Sequence, residues 1–172
     1  MVLTGPPGIG KTRLAEAVAA MSRAAGWAVA ESRCADDAGA PPLWPWTQAF
    51  EQLGQDPPAP VAGDGGADAD AARFRLFQDV RARLVAATRE QPVLVVLDDL
   101  QGADETSVQL LALLARHLPK VPLLVVVTVR SVGEDLPEAV ADCLARLARE
   151  PAAVTLTLDG LSTDDVGSLL AA

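Results

Sequence analysis

The amino-acid sequence predicts a three-layer α/β domain in which a five-stranded parallel sheet carries helices on both faces. Two continuous apolar runs, "VLVVL" at 93–97 and "LLVVV" at 123–127, are the first observation. Runs of this kind are typical of strands buried on both faces. The second observation is that helical patterns alternate with the candidate strands along the chain, which favours a parallel sheet with right-handed crossovers.

The first part of the chain is predicted to supply a strand, a helix and a second strand. Residues 2–4 read as the end of a short buried strand. Residues 11–25 carry apolar side chains at helical spacing, and Gly26 follows as a helix stop. The stretch "WAVAESRC" at 27–34 is the second candidate strand. The loop between residues 4 and 11 therefore joins a strand to a helix.

Two further helices are predicted on either side of an insertion. A proline-punctuated stretch at 41–45 precedes a short helix, one face of which holds Trp46, Phe50 and Leu53. Residues 54–71 are rich in Pro, Gly and Asp without periodicity, so we expect a flexible surface insertion. A long amphipathic helix over 71–88 follows. Along one side of this helix the sequence places Phe74, Phe77, Arg81, Leu84 and Thr88.

The remaining elements complete a single predicted domain over residues 1–172. Asp104 is expected to cap a helix that reaches about Leu118. A helix over 137–149 and a fifth strand, "AVTLTL", follow the second apolar run. Ser162 is expected to begin a last helix, inside which the sequence ends.

Composition excludes several classes of function. The net charge of −9 argues against a surface that binds nucleic acid through its phosphates. Cys34 and Cys143 fit no metal spacing and indicate no disulfide framework. The apolar runs are too short to span a bilayer, and no secretion signal begins the chain. We therefore expect a cytoplasmic protein that binds neither membrane nor nucleic acid through this segment.

The segment 5–12 fits the phosphate-loop pattern G-x-x-x-x-G-K-[ST] in full. Glycines let the backbone N–H groups point at phosphate oxygens, and the helix that follows presents its N-terminus to the same anion. Lys11 would reach the β- and γ-phosphates of ATP, and the Thr12 hydroxyl would ligate Mg²⁺. The alternative is a glycine-rich turn with a chance lysine. The predicted nucleotide-binding residues are Gly5, Pro6, Pro7, Gly8, Ile9, Gly10, Lys11, Thr12 and Arg13.

Two carboxylates close the first apolar run, where a magnesium–nucleotide site needs an acid. Asp98 would hold Mg²⁺ directly or through water. Asp99 would orient or deprotonate the attacking water. Asp98 and Asp99 could instead simply cap a turn at the end of the strand. Glu105 is a second candidate base, although a first-turn Glu is more often a partner of the helix dipole.

Arg130 ends the second apolar run. The carboxyl ends of parallel strands meet at one edge of the sheet, so Arg130 would reach the γ-phosphate as a catalytic sensor beside Lys11 and Asp99. The alternative is a surface ion pair with Glu134 or Asp135.

Other chemically active side chains have structural interpretations. His117 near a helix end is expected to serve packing or the dipole, and Cys143 to lie in the core. Trp44 and Trp46 favour a packed cover on the sheet over a platform that stacks on bases.

Taken in order, "GPPGIGKTRLAEAVA", "APPLWPWTQAF", "PVLVVLDDLQGADETSVQLLALLARHL", "PLLVVVTVR" and "LDGLSTDDVGSLL" resemble a known module. It is the AAA-like, STAND-type P-loop ATPase domain of large LuxR-type bacterial transcriptional regulators. The resemblance implies the strand order 5-1-4-3-2, Asp98 and Asp99 as Walker B acids, and Arg130 as sensor. It also implies an ATP-driven switch that self-associates or contacts other domains of its regulator.

The sequence departs from that family at three points. Gly102 stands where the family usually has Trp, which puts hydrolysis in more doubt than binding. The resemblance implies a base-holding segment before the first strand, which we expect to be missing, and a lid that would begin at about 161. The expected function is a slow ATPase switch; the alternatives are a nucleotide-binding module without turnover and, less favoured, a metabolic phosphotransferase.

Overall fold

The fold is a five-stranded parallel sheet in the order β2-β3-β4-β1-β5, which is the predicted order read from the opposite edge. The structure is a computed structural model and describes residues 1–34, 41–58, 67–117, 121–130 and 136–160. Both continuous apolar runs are central strands, as their lack of alternation predicts. The strands are β1 (Val2–Gly5), β2 (Ala28–Arg33), β3 (Val93–Asp98), β4 (Leu123–Arg130) and β5 (Thr155–Thr157).

The register of the sheet brings the predicted functional residues to one edge. Gly5 at the end of β1 pairs with Arg130 at the end of β4. Arg33 at the end of β2 pairs with Asp98 at the end of β3. Because all five strands are parallel, these residues share the carboxyl edge, where ligands of open α/β sheets bind.

Helices cover both faces of the sheet, as predicted. Helix α1 packs over one face through Ala15 and Ala19, which contact Leu3, Leu94 and Val126. The other four helices build the larger core on the opposite face. The helices are α1 (Lys11–Ala24), α2 (Trp44–Gln52), α3 (Ala67–Ala87), α4 (Glu105–His117) and α5 (Glu138–Leu147), with a 3-10 turn at Leu100–Gly102.

Helix α3 differs from the prediction in its start and in its inner face. It begins at Ala67 rather than residue 71, so residues 67–71 of the expected insertion are helical, and residues 59–66 lie outside the described part. The prediction that Phe74 shares a side with the other four residues is wrong, since 56% of Phe74 is exposed. Leu76 and Val80 are buried instead, beside Phe77, Leu84 and Thr88. Leu76, Val80, Leu84 and Thr88 are each four residues apart, and Phe77 lies three residues before Val80, so they form one continuous stripe.

Asp104 and Cys143 occupy the structural positions that the sequence predicts. Asp104 caps α4, because its Oδ1 accepts the Ser107 N–H at 3.0 Å. Cys143 is buried in the core. The side chain of His117, the predicted end of α4 at Leu118, the helix from Ser162 and the lid from about 161 lie outside the described residues.

Within the described ranges, no helix is both long enough and apolar enough to cross a bilayer.

Candidate functional site

The loop between β1 and α1 adopts a conformation that only glycine accepts without strain. Gly8 and Gly10 have φ angles of 77° and 105°, in the left-handed region. A Cβ at Gly10 would meet nothing within 4 Å, so the requirement there is backbone conformation rather than space. At Gly5 the reason is space, because a Cβ would lie 2.8 Å from the Leu158 carbonyl oxygen. The loop thus turns sharply into α1.

Lys11 is the first residue of α1, and its ammonium group is held inside the loop. Lys11 is 8% exposed, and its Nζ donates to the carbonyl oxygens of Gly5 and Pro6, both at 2.9 Å. No carboxylate of the described residues forms an ion pair with Lys11. A buried charge without a counter-ion favours an anionic ligand. The unpaired N–H groups in the first turn of α1 favour the same ligand.

Thr12 and Asp98 meet across the sheet although 86 residues separate them. The Thr12 hydroxyl lies 3.0 Å from Oδ1 and 3.2 Å from Oδ2 of Asp98. A hydroxyl and a carboxylate are oxygen donors suited to Mg²⁺, which keeps several waters and takes its other ligands from phosphates. The described residues contain no cluster of three or more His, Cys, Asp or Glu side chains that could bind a metal unaided. The donor set therefore fits magnesium brought with a nucleotide.

Asp99 lies directly after β3 and is held from several sides. Among the described residues it is one of two non-glycine residues with positive φ, at 64°. Its N–H donates to Thr128 Oγ1 at 2.8 Å, and Gln101 Nε2 donates to its Oδ1. Arg33 Nη2 lies 3.8 Å from its Oδ2. Both carboxylate oxygens of the predicted base are therefore engaged in this conformation.

The predicted site residues converge on two adjoining cavities. The first, of about 320 Å³, is lined by Pro7, Gly8, Gly10, Lys11, Thr12, Arg13, Asp99 and Arg130. Asp98 lines the second, of about 270 Å³, beside Glu31, Ser32 and Arg33, and Thr12 is common to both. Gly5 and Pro6 contribute their carbonyl oxygens to Lys11, and the Ile9 N–H donates to Pro6 at 3.4 Å. Thr12 thus lies between the first cavity and Asp98.

Arg130, at the end of β4, lines the first cavity. It is exposed, and its backbone N–H donates to Gln101 Oε1 at 3.4 Å. The alternative partners Glu134 and Asp135 lie outside the described residues. Glu105 lines a different groove and accepts a hydrogen bond from Gln109 at 2.7 Å, which fits a first-turn surface acid.

The two tryptophans of α2 behave differently. Trp46 is fully buried, and its Nε1 donates to the Ser107 carbonyl oxygen at 3.1 Å. Trp44 remains 36% exposed, so the expectation of a packed cover is wrong for that residue. Leu43 precedes them with a positive φ of 66°. Trp44 and Trp46 are two positions apart in α2, so the helical period places them on different faces.

Three residues of the site were not singled out by the sequence. Thr128 is buried and donates to Asp98 Oδ1 at 2.7 Å, while Gln101 and Arg33 contact Asp99. The available signal for Thr128 was a polar residue that interrupts the apolar run "LLVVVTV". The only local signal for the contact of Gln101 with Asp99 was its position two residues further along the chain.

Cys34 follows the end of β2 and lies close to the acidic residues at the end of β3. Its N–H donates to the Asp98 carbonyl oxygen at 2.8 Å. Burial raises the pKa of the Cys34 thiol to about 12, with the charges of Asp98, Asp104 and Asp99 adding to the effect. The thiol is therefore neutral near neutral pH and is a poor nucleophile or metal ligand.

The model of the AAA ATPase domain family matches residues 1–126. No curated protein matches the chain. The structure is similar to Drosophila ORC bound to AT-rich DNA and Cdc6, with a TM-score of 0.54, 12% identity, and coverage of 96% of this chain and 51% of that chain. It is also similar to Cdc6p from Pyrobaculum aerophilum (TM-score 0.52, 13% identity, 99% of this chain and 41% of that chain).

A third similar structure is the Aeropyrum pernix ORC1 protein in complex with DNA, with a TM-score of 0.50 and 19% identity. That match covers 99% of this chain and 42% of the other. At these identities the likeness shows the fold alone. The chain spans between two fifths and about half of the length of these proteins.

Proposed function

This chain belongs to the AAA ATPase domain family, and from that premise we propose that it is an ATP-binding, slowly ATP-hydrolysing switch domain of a signal-responsive transcriptional regulator. One observation carries the proposal: Lys11, Thr12, Asp99 and Arg130 line a single cavity at the carboxyl edge of the sheet. A buried ammonium, a hydroxyl, a carboxylate and a guanidinium around one space are the groups that phosphoryl transfer to water requires.

Binding is assigned to the loop from Gly5 to Arg13. Its backbone N–H groups and the N-terminus of α1 receive the phosphates, and the buried Nζ of Lys11 reaches their oxygens. Thr12 and Asp98 would hold Mg²⁺, which neutralises charge on the β- and γ-phosphates when it is bound. The direct contact between Thr12 and Asp98 supports this pairing.

Turnover is assigned to Asp99 and Arg130. Asp99 orients the attacking water and accepts its proton, and Arg130 stabilises charge on the γ-phosphate. In the present conformation both Asp99 oxygens are engaged by Gln101 and Arg33. These partners compete with the attacking water for the Asp99 oxygens, which is the physical reason to expect slow hydrolysis.

The regulatory part of the proposal rests on the resemblance to STAND-type modules of LuxR-type regulators. In those proteins ATP favours an active, often oligomeric state and hydrolysis resets it. We extend that cycle to a core domain over residues 1–172, with an insertion within 54–71 and a lid from about 161. Self-association or contact with other domains of the regulator would be the output, and ATP and ADP its inputs.

A second candidate is a nucleotide-binding interaction module without turnover. Two features favour it: the engaged Asp99 carboxylate, and Gly102 at the position where the family usually carries Trp. In this case Asp99 would have a structural role only. The two candidates share the phosphate loop and differ in what happens at the γ-phosphate.

The experiment combines a binding and a turnover measurement. Thermal unfolding with ATP and Mg²⁺ should show stabilisation of the wild type and of Arg75→Ala, an exposed cation on α3, but not of Lys11→Ala. An unchanged ATP shift in Lys11→Ala would refute the binding site. Phosphate release should be above background in the wild type and at background in Asp99→Asn. Background rates of phosphate release in both the wild type and Asp99→Asn would favour the second candidate, which binds nucleotide without turnover.

The switch is tested separately. Light scattering of the full chain with a non-hydrolysable ATP analogue and with ADP should give different masses if ATP drives self-association. Identical masses with both nucleotides, in a protein that binds both, would contradict an oligomeric output.

A further inference from the structure

Asp104 joins two elements of the fold rather than capping one helix alone. Its Oδ1 accepts the Ser107 N–H at 3.0 Å, which is the helix cap. Its Oδ2 accepts the Ser107 hydroxyl at 2.5 Å and the Leu43 N–H at 3.0 Å. The last bond crosses 61 residues to the stretch 41–46, here called the proline segment. Asp104 therefore ties the proline segment to the start of α4.

The proline segment is held in a conformation that its own sequence does not favour. Leu43 has a φ of 66° and is 1% exposed. A left-handed conformation costs a branched residue about 1–2 kcal/mol, so surrounding contacts must maintain it. Those contacts are the burial of Leu43, its bond to Asp104, and the bond from Trp46 Nε1 to the Ser107 carbonyl oxygen at 3.1 Å. The segment thus has two hydrogen bonds to the first turn of α4.

The acid loop, residues 98–104, can transmit a displacement of Asp104 to Asp99. Gly102 N–H donates to the Asp99 carbonyl at 2.9 Å, and Ala103 N–H donates to the Leu100 carbonyl at 3.0 Å. Leu100 is fully buried in the middle of this turn. A short, internally bonded turn moves as a unit, so its two ends are mechanically linked.

From these contacts we propose that Asp104 is a positioning residue that couples the proline segment to Asp99. A change in the proline segment shifts the start of α4 and the acid loop, and so the carboxylate at the γ-phosphate. The Lys11 grip on the phosphates lies on β1 and α1 and is independent of this link. The coupling rests on the proposed ATP site and deepens it, because it makes turnover far more sensitive than nucleotide binding to residues 41–46.

Kinetics of Asp104 variants test the coupling in the full chain. Asp104→Ala should lower kcat by about tenfold or more, since a small misplacement of a catalytic group has such effects. The KM for ATP and the ATP-induced thermal shift should stay within about twofold of wild type, since the Lys11 grip is untouched. Asp104→Asn keeps one acceptor oxygen, so its kcat should lie between those of the wild type and Asp104→Ala. Glu138→Gln, which neutralises an exposed first-turn acid of α5, should leave all three quantities unchanged.

A second measurement reports the link directly and does not need turnover. In a Trp27→Phe, Trp44→Phe background, the emission of Trp46 should change on binding of a non-hydrolysable ATP analogue. Adding Asp104→Ala should abolish the change while the analogue still stabilises the protein. Trp46→Phe in the natural chain removes the indole N–H and keeps most of the packing, so it should lower kcat without raising KM.

The outcomes separate this proposal from the ATP site itself. A wild type without any ATP-induced stabilisation would refute the proposed function before the coupling is reached. A wild type that binds ATP, with Trp46 emission unchanged by the analogue, would overturn the coupling. An Asp104→Ala variant that loses ATP stabilisation together with kcat would also overturn it, because the residue would then support the whole site.

Discussion

The side chains of Thr128 and Asp98 are joined by a hydrogen bond of 2.7 Å, from Thr128 Oγ1 to Asp98 Oδ1. The same hydroxyl oxygen accepts the backbone N–H of Asp99 at 2.8 Å. Thr128 is 1% exposed, so water cannot replace either bond. One buried hydroxyl on β4 therefore sets the orientation of the proposed magnesium ligand and the position of the proposed base.

Replacement of that hydroxyl gives the first prediction. Thr128→Val keeps the shape of the side chain but leaves the Asp99 N–H without its acceptor and removes a donor from Asp98. An unsatisfied buried polar group costs about 1–3 kcal/mol, so the free energy of unfolding in urea should fall by that amount. ATP hydrolysis should fall as well, because both acids lose a fixed position. Urea unfolding and phosphate release measure the two effects.

Thr4 offers the matched control on the adjacent strand β1. Its Oγ1 is buried and has no hydrogen-bond partner among the described residues. Thr4→Val removes an unpaired polar atom, so it should be neutral or stabilising. Equal stability of Thr128→Val and wild type, together with equal turnover, would contradict the assigned role of Thr128.

The phosphate loop gives the second prediction, which compares two glycines. Gly10 and Gly26 have φ angles of 105° and 81°, and a Cβ at either would meet nothing within 4 Å. Alanine at each position should therefore cost a similar backbone penalty, about 1–2 kcal/mol of unfolding free energy. Only Gly10→Ala should also weaken the ATP-induced thermal shift, since Gly26 lies at the far end of α1. Equal ATP shifts in both variants would show that the loop conformation is not needed for binding.

The predictable part of the fold is that which rests on patterns of local sequence. The runs that became β3 and β4 are apolar at every position, and only a strand buried on both faces requires that. The phosphate loop was predictable because its backbone demands fixed residue types in a fixed order. Asp98 and Asp99 followed from the end of β3, since parallel strands share one carboxyl edge.

The unpredicted part depends on which side chains meet across neighbouring strands and helices. Thr128 reads as one polar residue in an apolar strand, and only the pairing of β3 with β4 brings it to the acids. Arg33 meets Asp99 because β2 lies beside β3, an order that the resemblance implied, but no local pattern pairs these two side chains. For α3, more than one line of side chains along the helix could have formed the buried face. Packing against α4 selected the one with Leu76 and Val80 and left Phe74 exposed.

The ion pair between Arg33 and Asp99 gives the third prediction. Its N–O distance is 3.8 Å, and 74% of the Arg33 side chain and 33% of that of Asp99 are exposed. Such a pair contributes about 0.2–1 kcal/mol. Arg33→Ala should therefore hardly change stability, but it frees Oδ2 of the proposed base. Phosphate release should rise by up to about fivefold, the rate equivalent of that energy.

Arg23→Ala is the control for that experiment. Arg23 forms a surface ion pair with Glu31, which is on β2 like Arg33, and this pair does not involve Asp99. It should leave both stability and turnover close to wild type. A fall in turnover on Arg33→Ala would show instead that Arg33 holds Asp99 in its active orientation.

The two cysteines give the last prediction. Burial raises the pKa of the Cys34 thiol from 9.0 to about 12, helped by Asp98, Asp104 and Asp99, and burial raises that of Cys143 to about 11. The folded state thus holds both protons more tightly than the unfolded state. This contribution to stability is complete below pH 9.0 and is lost as pH rises towards those values. At about pH 8, iodoacetamide should label neither thiol in the folded protein and both in urea. Rapid labelling of folded Cys34, with the Cys34→Ala variant as the blank, would show that the thiol beside the acids is accessible and ionised.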